Sequence, residues 1–399
     1  MQKISRRIYL DYAAGTPIDP RVLREMAQVL RNSFGNPASV HHEGVLAKKL
    51  LDESRRKIAL VLGCHPDEII FTGSGTEANN LAIFGVVEYF HYDSQVPYNK
   101  LHIITSAVEH SSVKKCFEEL RNRGVKVTVV PVGEDGVISP RAVISALTND
   151  TVLISVVLAN NEIGTTQPIR RIALDLHSEV ARRKFKFGRP IFHTDASQAL
   201  CYINSSADSL RADLITVDGQ KVYGPKGIGA LYHRRKTPLV PIMHGGGQEQ
   251  GIRPGTENVP LIAGLAAALS IAVKMREKEA VRLLKIRDYL IREIEKIFPR
   301  ASVNGSVTQR LPNNLNILLP GVNAEFLVLK LDAAGFAIST KSACVIGEES
   351  SYVLKAIGRS EAEAKSSLRI SLGRRTQIDD ARRFVKELGK ILSEGHILV

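Results

Sequence analysis

Short apolar runs alternate with longer amphipathic stretches between about residues 68 and 232. The strand candidates are, in chain order, EIIFT, LHIIT, VKVTVV, VLISVV, IFHTD, LITVD and GALYH. Between them apolar residues recur at helical spacing, as in residues 76–90. Strands and helices that alternate in this way predict parallel strands joined by crossover helices. We therefore expect an α/β fold with a large, doubly wound, mostly parallel sheet, whose ligands lie at the carboxyl ends of the strands.

The pattern changes near residue 257, where a long stretch rich in Ala, Leu, Lys and Glu predicts a connecting helix that extends to about residue 297. Three short apolar runs follow, LNILL, FAIST and LRISL, together with helical stretches at residues 324–332 and 379–392. This mixture of short strands and helices predicts a smaller α+β unit.

The length of the chain favours two domains. It has 399 residues, of which 44% are hydrophobic, and single cores stop growing at roughly 250–300 residues. We assign residues 16–256 to a large domain, and residues 1–15 and 257–399 to the small α+β domain.

Charge and hydropathy narrow the possible partners and locations. The apolar runs look shorter than the roughly 20 residues of a membrane span, and the first residues contain no signal-peptide core, so we expect a cytoplasmic protein without a membrane partner. The net charge is +13, but the basic residues are spread along the chain. No nucleic-acid module is recognised, and we expect no direct nucleic-acid partner.

The four cysteines are scattered along the chain without CxxC spacing. This spacing argues against a metal site or a disulfide framework and suits a reducing compartment. Cys64, Cys116 and Cys201 are interpreted as small apolar fillers. Cys344 differs, because it lies in the polar stretch STKSACVIGEESS, which has no periodicity that would bury it.

A glycine-containing turn separates the first strand of the large sheet from the following helix. The stretch FTGSGTEANN places Gly75 and Thr76 where unpaired backbone N–H groups and the helix dipole can hold a phosphate. The stretch contains no Walker lysine and no GxGxxG fingerprint. Taken alone, ordinary turn chemistry explains it about as well as a phosphate site.

Two further polar clusters follow strands of the same predicted sheet. IFHTDASQA brings His193, Asp195 and Gln198 to one strand end, where Asp195 can pair with a protonated pyridine nitrogen or cap the next helix. LITVDGQKVYGPKG presents Lys221 at the next strand end, where a lysine held rigidly can form a Schiff base. Lys226 is the rival, and a surface salt bridge would be the ordinary role of either lysine.

The chain resembles the cysteine desulfurases of iron–sulfur cluster assembly, which belong to the fold-type I, class V aminotransferase group of pyridoxal phosphate enzymes. The resemblance covers nearly the whole chain. The matching stretches are YLDYAAGTPIDPRV, FGNPASVHHEG, FTGSGTEANNLAI, VEH, NNEIG, HTDASQ, KVYGPKGIGALY, HGGGQEQGIRPGT, SACV and SSLRISLGR.

This resemblance implies that pyridoxal 5'-phosphate is the cofactor and that Lys221 forms the Schiff base with it. Asp195 would pair with the pyridine nitrogen, and Gln198 would contact the ring hydroxyl. His110 would stack on the ring as a further catalytic residue. These roles come from matching positions, because composition and periodicity do not assign them.

For the phosphate, the resemblance implies binding by Gly75 and Thr76 at their helix start. Gln220 can donate a further hydrogen bond at this side of the cofactor. Thr256, in IRPGT, would reach the phosphate of a neighbouring subunit, and this role implies a homodimer.

For the substrate, the resemblance implies that Asn161 and Arg369 orient free L-cysteine, the planar guanidinium holding its carboxylate in bidentate fashion. Cys344 would accept the sulfur as a persulfide while L-alanine leaves, and the persulfide would pass to a protein acceptor such as an iron–sulfur scaffold or a thio-modification enzyme. The nucleophile must be a thiolate.

The chain departs from the family pattern beside the cofactor lysine. Family members carry Ser-x-His-Lys there, and this chain carries Asp218 and Gln220 at the serine and histidine positions. An ionised Asp218 facing the phosphate would repel it, so Asp218 turns away, pairs with a cation or marks an altered cofactor site. Val40 also replaces an arginine common after GNPAS.

Two alternatives to a cysteine desulfurase remain at this point. One is another enzyme of the same fold, such as a selenocysteine lyase or a small-molecule aminotransferase, in which Cys344 would be incidental. The other is a catalytically weak scaffold that keeps the fold in order to bind assembly proteins.

Overall fold

The computed structural model describes residues 7–340 and 350–393. The strands in these ranges are β1 Ile8–Tyr9, β2 Ile69–Thr72, β3 His102–Ser106, β4 Lys126–Val130, β5 Thr151–Ser155, β6 Ile191–Asp195, β7 Leu214–Asp218, β8 Gly229–His233, β9 Ser302–Val303, β10 Asn314–Leu318, β11 Phe336–Ala337 and β12 Ser367–Ser371. The α-helices are α1 Pro20–Asn32, α2 His42–Leu62, α3 Gly75–Glu88, α4 Ser111–Asn122, α5 Pro140–Ser145, α6 Ile169–Arg182, α7 Ala207–Leu210, α8 Val259–Ile297, α9 Ala324–Ala333, α10 Tyr352–Ala356, α11 Glu361–Lys365 and α12 Ile378–Ser393.

A seven-stranded sheet of order β2-β8-β7-β6-β5-β3-β4 forms the centre of the large unit. Strands β3 to β7 pair in parallel, and β8 runs antiparallel to both of its neighbours. All seven apolar runs identified in the sequence form strands of this sheet, which confirms the expected α/β class with a mostly parallel sheet. Because β6 and β7 are parallel, their carboxyl ends open at the same edge.

The small sheets are built from the chain termini. β10 pairs antiparallel with β9 and β12, and β1 pairs in parallel with β11. A bridge between Asp11 and Ser371 joins the end of β1 to β12. The pairing of β1 agrees with the assignment of residues 1–15 to the small unit, while the domain boundaries themselves stay a prediction.

Helix α8 runs from Val259 to Ile297, close to the predicted connecting helix, and packs against α1, α2 and α12. Among the described residues it is the one helix long and apolar enough to cross a membrane, so its apolar stretch is longer than the sequence pattern suggested. Half of that stretch is buried inside the protein. Its buried residues belong to the main hydrophobic core, which accounts for their apolar character.

Helix α3 carries the turn predicted to bind phosphate. Ser74 begins the helix as its N-cap, and its side chain accepts a hydrogen bond from the backbone N–H of Glu77. The body of the helix is almost entirely buried against the large sheet, because its residues are apolar on nearly every side. The first turn of α3 is thereby held beside the carboxyl end of β7.

Candidate active site

One pocket opens at the carboxyl ends of β6 and β7, bounded by the first turns of α3, the residue preceding α4, the N-terminal segment and β12. Most of the predicted site residues line it. They are Gly75, Thr76, His110, Asn161, Asp195, Gln198, Lys221 and Arg369. Residues more than 290 positions apart in sequence therefore meet in one pocket, and Asp218 lines it as well.

Three predicted or considered residues, Gln220, Thr256 and His193, do not line this pocket. Gln220 lies behind Asp218 and donates to it, and Thr256 is exposed on the loop before α8. His193 is buried two residues before the end of β6, where it bonds Ser155 and Thr216. Its inclusion in the strand-end cluster was wrong, because neighbouring strands cover it. Cys344 lies outside the described residues.

Asp195 ends β6 and is held by two hydrogen bonds at ordinary distances. Its Oδ1 accepts from the backbone N–H of Ser197 at 2.9 Å, and its Oδ2 accepts from Asn79 Nδ2 at 2.8 Å. Asn79 in turn donates to Ser112 Oγ at 2.8 Å. Both donors are neutral, and the carboxyl group lines the pocket, where a cationic ring nitrogen would be a suitable partner.

His110 lies at the start of α4, where its Nδ1 is 2.8 Å from Ser112 Oγ and accepts from the Ser112 backbone N–H. Burial lowers the pKa of His110, and the nearby carboxylate of Asp195 opposes this effect only in part. The imidazole is therefore neutral at physiological pH, and its ring is fixed by a hydrogen bond at Nδ1.

Lys221 closes a 3-10 turn after β7, and the turn is rigid. Its Nζ donates to the carbonyl oxygens of Ala13 at 3.0 Å and Ala14 at 2.6 Å. A side chain on Gly219 would come within 2.7 Å of the Pro225 carbonyl oxygen, so this turn requires a glycine. Lys226, the rival lysine, is exposed and lines a different pocket.

Arg369 lies on β12 with no exposed surface, although an isolated buried charge is costly. Its Nη2 donates to Asp11 Oδ1 at 2.8 Å, and its Nη1 donates to the Asn161 carbonyl oxygen at 3.3 Å. Among the described residues Nε has no hydrogen-bond partner. The guanidinium faces the pocket with donor capacity left for a carboxylate.

The phosphate side of the pocket is formed by the first turn of α3 and by Asp218. A side chain on Gly75 would lie 2.9 Å from Asp218 Cβ and 3.0 Å from its Oδ2, so only glycine permits this approach. Asp218 Oδ1 accepts from the Gln220 backbone N–H at 3.0 Å. Of the three possibilities considered from the sequence, the one in which Asp218 turns away is wrong.

The remaining described cysteines are unsuited to act as thiolates. Burial raises the pKa of Cys64 and Cys116 to about 12 and that of Cys201 to about 11. Their interpretation as small fillers fits this protonated state.

Sequence reasoning missed three residues that organise the site. Asn79 and Ser112 hold Asp195 and His110, and Asp11 pairs with Arg369. Asn79 offered a signal, because an amide one turn after Thr76 interrupts an otherwise apolar helix. No sequence signal pointed to Asp11 apart from its place in the stretch YLDYAAG, because its partner Arg369 is 358 residues away in the chain.

Residues 8–384 match the model of the aminotransferase class-V family, and the chain belongs to this family. It is 41% identical to a cysteine desulfurase IscS of Dictyoglomus turgidum over 98% of this chain and 96% of that protein. A cysteine desulfurase IscS of Pseudomonas aeruginosa is also 41% identical, over 97% of this chain and 94% of that one.

Solved structures agree with these relatives. A NifS-like protein superposes with a TM-score of 0.88 at 34% identity, covering 97% of this chain and all of that one. A structure described as SspA in complex with cysteine superposes with a TM-score of 0.77 at 36% identity, covering 92% of this chain and 98% of that one. The expected class V, fold-type I architecture is confirmed.

Proposed function

We propose that this protein is a pyridoxal phosphate-dependent cysteine desulfurase, which converts L-cysteine to L-alanine and transfers the sulfur to Cys344. The observation that carries the proposal is the meeting of Lys221, Asp195 and Arg369 in one pocket. An amine, a carboxylate and a buried guanidinium are the groups that a cofactor aldehyde, its ring nitrogen and an amino acid carboxylate require. Full-length relatives named cysteine desulfurase support the same conclusion.

The residues present fit the cofactor at its ring end. Asp195 and the neutral imidazole of His110 line the pocket together, and Asn79 and Ser112 fix them through hydrogen bonds. Pyridoxal phosphate, when bound, supplies an aldehyde that condenses with amines and a ring that withdraws electrons. Gly75 and Thr76 present first-turn backbone N–H groups to its phosphate.

Separate residues of the protein bind the substrate, move its Cα proton and contact the ring nitrogen. Arg369 binds the substrate carboxylate, and Asn161 fixes Arg369 through its carbonyl oxygen. Lys221, held between the Ala13 and Ala14 carbonyls, moves the proton at the substrate Cα. Asp195 holds the proton on the ring nitrogen. Orientation by rigid strand ends contributes to the rate, because the reacting groups meet at fixed distances.

The sulfur step belongs to Cys344, which the family resemblance assigns as the acceptor. Its thiolate would attack the substrate sulfur, and the bond between that sulfur and the substrate Cβ would break. The electron pair of this bond stays with the substrate carbons, which take up protons and leave as alanine, while the sulfur remains on Cys344 as a persulfide. A protein acceptor then takes the persulfide. A homodimer in which Thr256 contacts the neighbouring phosphate, and a cytoplasmic location, belong to the same proposal.

Incubation with L-cysteine and a reductant tests this function. We expect equal amounts of alanine and sulfide from the native chain, and loss of both from Cys344→Ser. Cys201→Ser is the matched control, because Cys201 is a buried thiol outside the pocket.

Two results would contradict the proposal. Sulfide release that survives intact in Cys344→Ser would favour a lyase or aminotransferase of the same fold. A protein that stays colourless when given pyridoxal phosphate would favour the scaffold.

A further inference from the structure

The end of the pocket that is proposed to hold the phosphate contains a carboxyl group, that of Asp218. Asp218 ends β7, is 8% exposed, and lies against the first residue of α3. A side chain on Gly75 would come within 3.0 Å of Asp218 Oδ2. A phosphate held by the first turn of α3 therefore comes within reach of the same carboxyl group.

The hydrogen bonds to Asp218 are those of a poorly satisfied anion. Oδ1 accepts from the Gln220 backbone N–H at 3.0 Å, and Oδ2 accepts only a long bond from Gln220 Nε2 at 3.4 Å. Lys221 is close enough to favour the anion of Asp218, but its Nζ donates to two backbone carbonyls. No ion pair of Asp218 appears among those of the described residues.

The charges around Asp218 come from each neighbouring element. Lys221 follows on its own turn and favours the anion, and Asp195 on β6 disfavours it. His110, before α4, is neutral because burial lowers its pKa. On α3, Glu77 faces Gly73 and is paired with Arg253 at 2.7 Å. Burial is the largest effect, and it raises the pKa of Asp218 above the ordinary carboxyl value.

We propose that Asp218 holds the cofactor phosphate as the neutral acid, donating its O–H to a phosphate oxygen, so that the phosphate's contribution to affinity falls when Asp218 loses this proton. The inference rests on the proposed function. An O–H donor to an anionic oxygen makes a strong, charge-assisted hydrogen bond. The ionised carboxylate would instead repel the phosphate and compete with it for the first-turn N–H groups of α3.

Comparison of two aldehydes isolates the phosphate. Pyridoxal phosphate and pyridoxal, which lacks the phosphate, are titrated into the full-length protein across pH, and binding is followed by the absorbance band of the Lys221 adduct. The ratio of the two dissociation constants reports what the phosphate adds. The ratio is compared between the native protein and the Asp218 variants, so that the ionisation of the phosphate and the internal hemiacetal of pyridoxal, which are the same for every variant, cancel.

In the native protein we expect the dissociation constant of pyridoxal phosphate to rise relative to that of pyridoxal by up to about tenfold per pH unit above the ionisation of Asp218. Asp218→Ser and Asp218→Asn, which keep a neutral donor, should lack this decline. Asp195→Asn is the matched control, because it removes a carboxyl group at the ring end and should leave the native decline in place.

Three outcomes decide whether Asp218 binds the cofactor phosphate as the neutral acid. A decline present in the native protein and absent from both Asp218 variants supports the role of Asp218. A native ratio that parallels the Asp218→Ser ratio at every pH overturns it while leaving the proposed function intact. If neither aldehyde gives a band that Lys221→Ala abolishes, cofactor binding at this pocket fails, and both proposals fail with it.

Discussion

The ring end and the phosphate end of the pocket each present an aspartate at the last position of a parallel strand. At the ring end, Asp195 Oδ2 receives a 2.8 Å bond from Asn79 Nδ2, in addition to the bond from Ser197. At the phosphate end, Asp218 Oδ2 receives only the 3.4 Å bond from Gln220. Strand position brings both carboxyl groups to the pocket, but the hydrogen-bond donors around the two groups differ.

The comparison also separates two kinds of ligand contact. Asn79 and Gly75 lie one turn apart on α3, one beside each aspartate. A single helix thus contacts both aspartates, through two residues that lie about 6 Å apart along its axis.

The largest effect is expected for Lys221→Ala, which removes the amine between the two ends. Alanine production should fall on the order of 10³-fold or more, the scale seen when a covalent catalytic group is lost. Lys226→Ala is the control, because that lysine is exposed and faces a different pocket. Equal loss in the two variants would show that the wrong lysine has been assigned.

A smaller effect is expected for Asp195→Asn, which tests the anion at the ring end. The substitution keeps the shape of the side chain but removes its charge, and kcat should fall about 10²- to 10³-fold, as for other preorganised electrostatic groups. Steady-state measurement of alanine gives kcat. Activity within twofold of the native value would contradict the contrast drawn between the two aspartates.

Arg369→Lys tests the substrate side of the same pocket. It keeps a positive charge but removes the planar fork, and kcat/KM should fall roughly 10- to 100-fold, since hydrogen bonds to charged groups contribute about 1.5–3 kcal/mol. The change should appear mainly in KM for cysteine.

Arg374→Lys is its control. Arg374 is also largely buried, pairs with Asp19 at 2.9 Å and stacks on Tyr223, but it does not line the pocket. If KM rises equally in both variants, the effect of Arg369→Lys is structural.

The last prediction concerns stability rather than rate, and it tests Glu109, a third buried carboxyl group, which precedes His110. Burial raises its pKa to about 8. Between the ordinary pKa of a glutamate and this raised pKa, the folded state binds more protons than the unfolded state. The contribution of Glu109 to the free energy of unfolding is therefore full at low pH and is lost as pH rises toward about 8.

Glu109→Gln should remove this pH-dependent decrease in the free energy of unfolding, which amounts to at most about 1.4 kcal/mol per pH unit. Thermal unfolding from about pH 5 to about pH 8 checks it, at one fixed protein concentration. The Tm of Glu109→Gln relative to the native Tm should increase across this range, and a constant difference would refute the prediction.

Much of the fold followed from the apolar pattern. The pattern predicted the seven strands of the large sheet, the long helix α8 and the strands β10 and β12. Strands buried on both faces are continuous apolar runs, and elements buried on one face have apolar residues at a regular spacing. The direction of β8 was not predicted, since an apolar run has the same pattern in either orientation. Strand β11 lies within the predicted run FAIST, but its parallel pairing with the two-residue strand β1 was not predicted, because so short a strand gives no periodic signal.

The site was predictable where strand ends determine position. Asp195 and Lys221 follow apolar runs, and the structure brings them together. The orientation of Asp218 was not predictable, because it depends on the close approach of Gly75 in another element. The link between Asp11 and Arg369 depends on two chain ends meeting. Cys344 stays a prediction, since it lies outside the described residues.

The central claim is that the amine of Lys221 receives the cofactor aldehyde in this pocket. Reduction of the protein with borohydride after incubation with pyridoxal phosphate, followed by peptide mass mapping, tests it most directly. We expect one phosphopyridoxyl group per chain, attached to Lys221. A group found on Lys226 or scattered over surface lysines would contradict it.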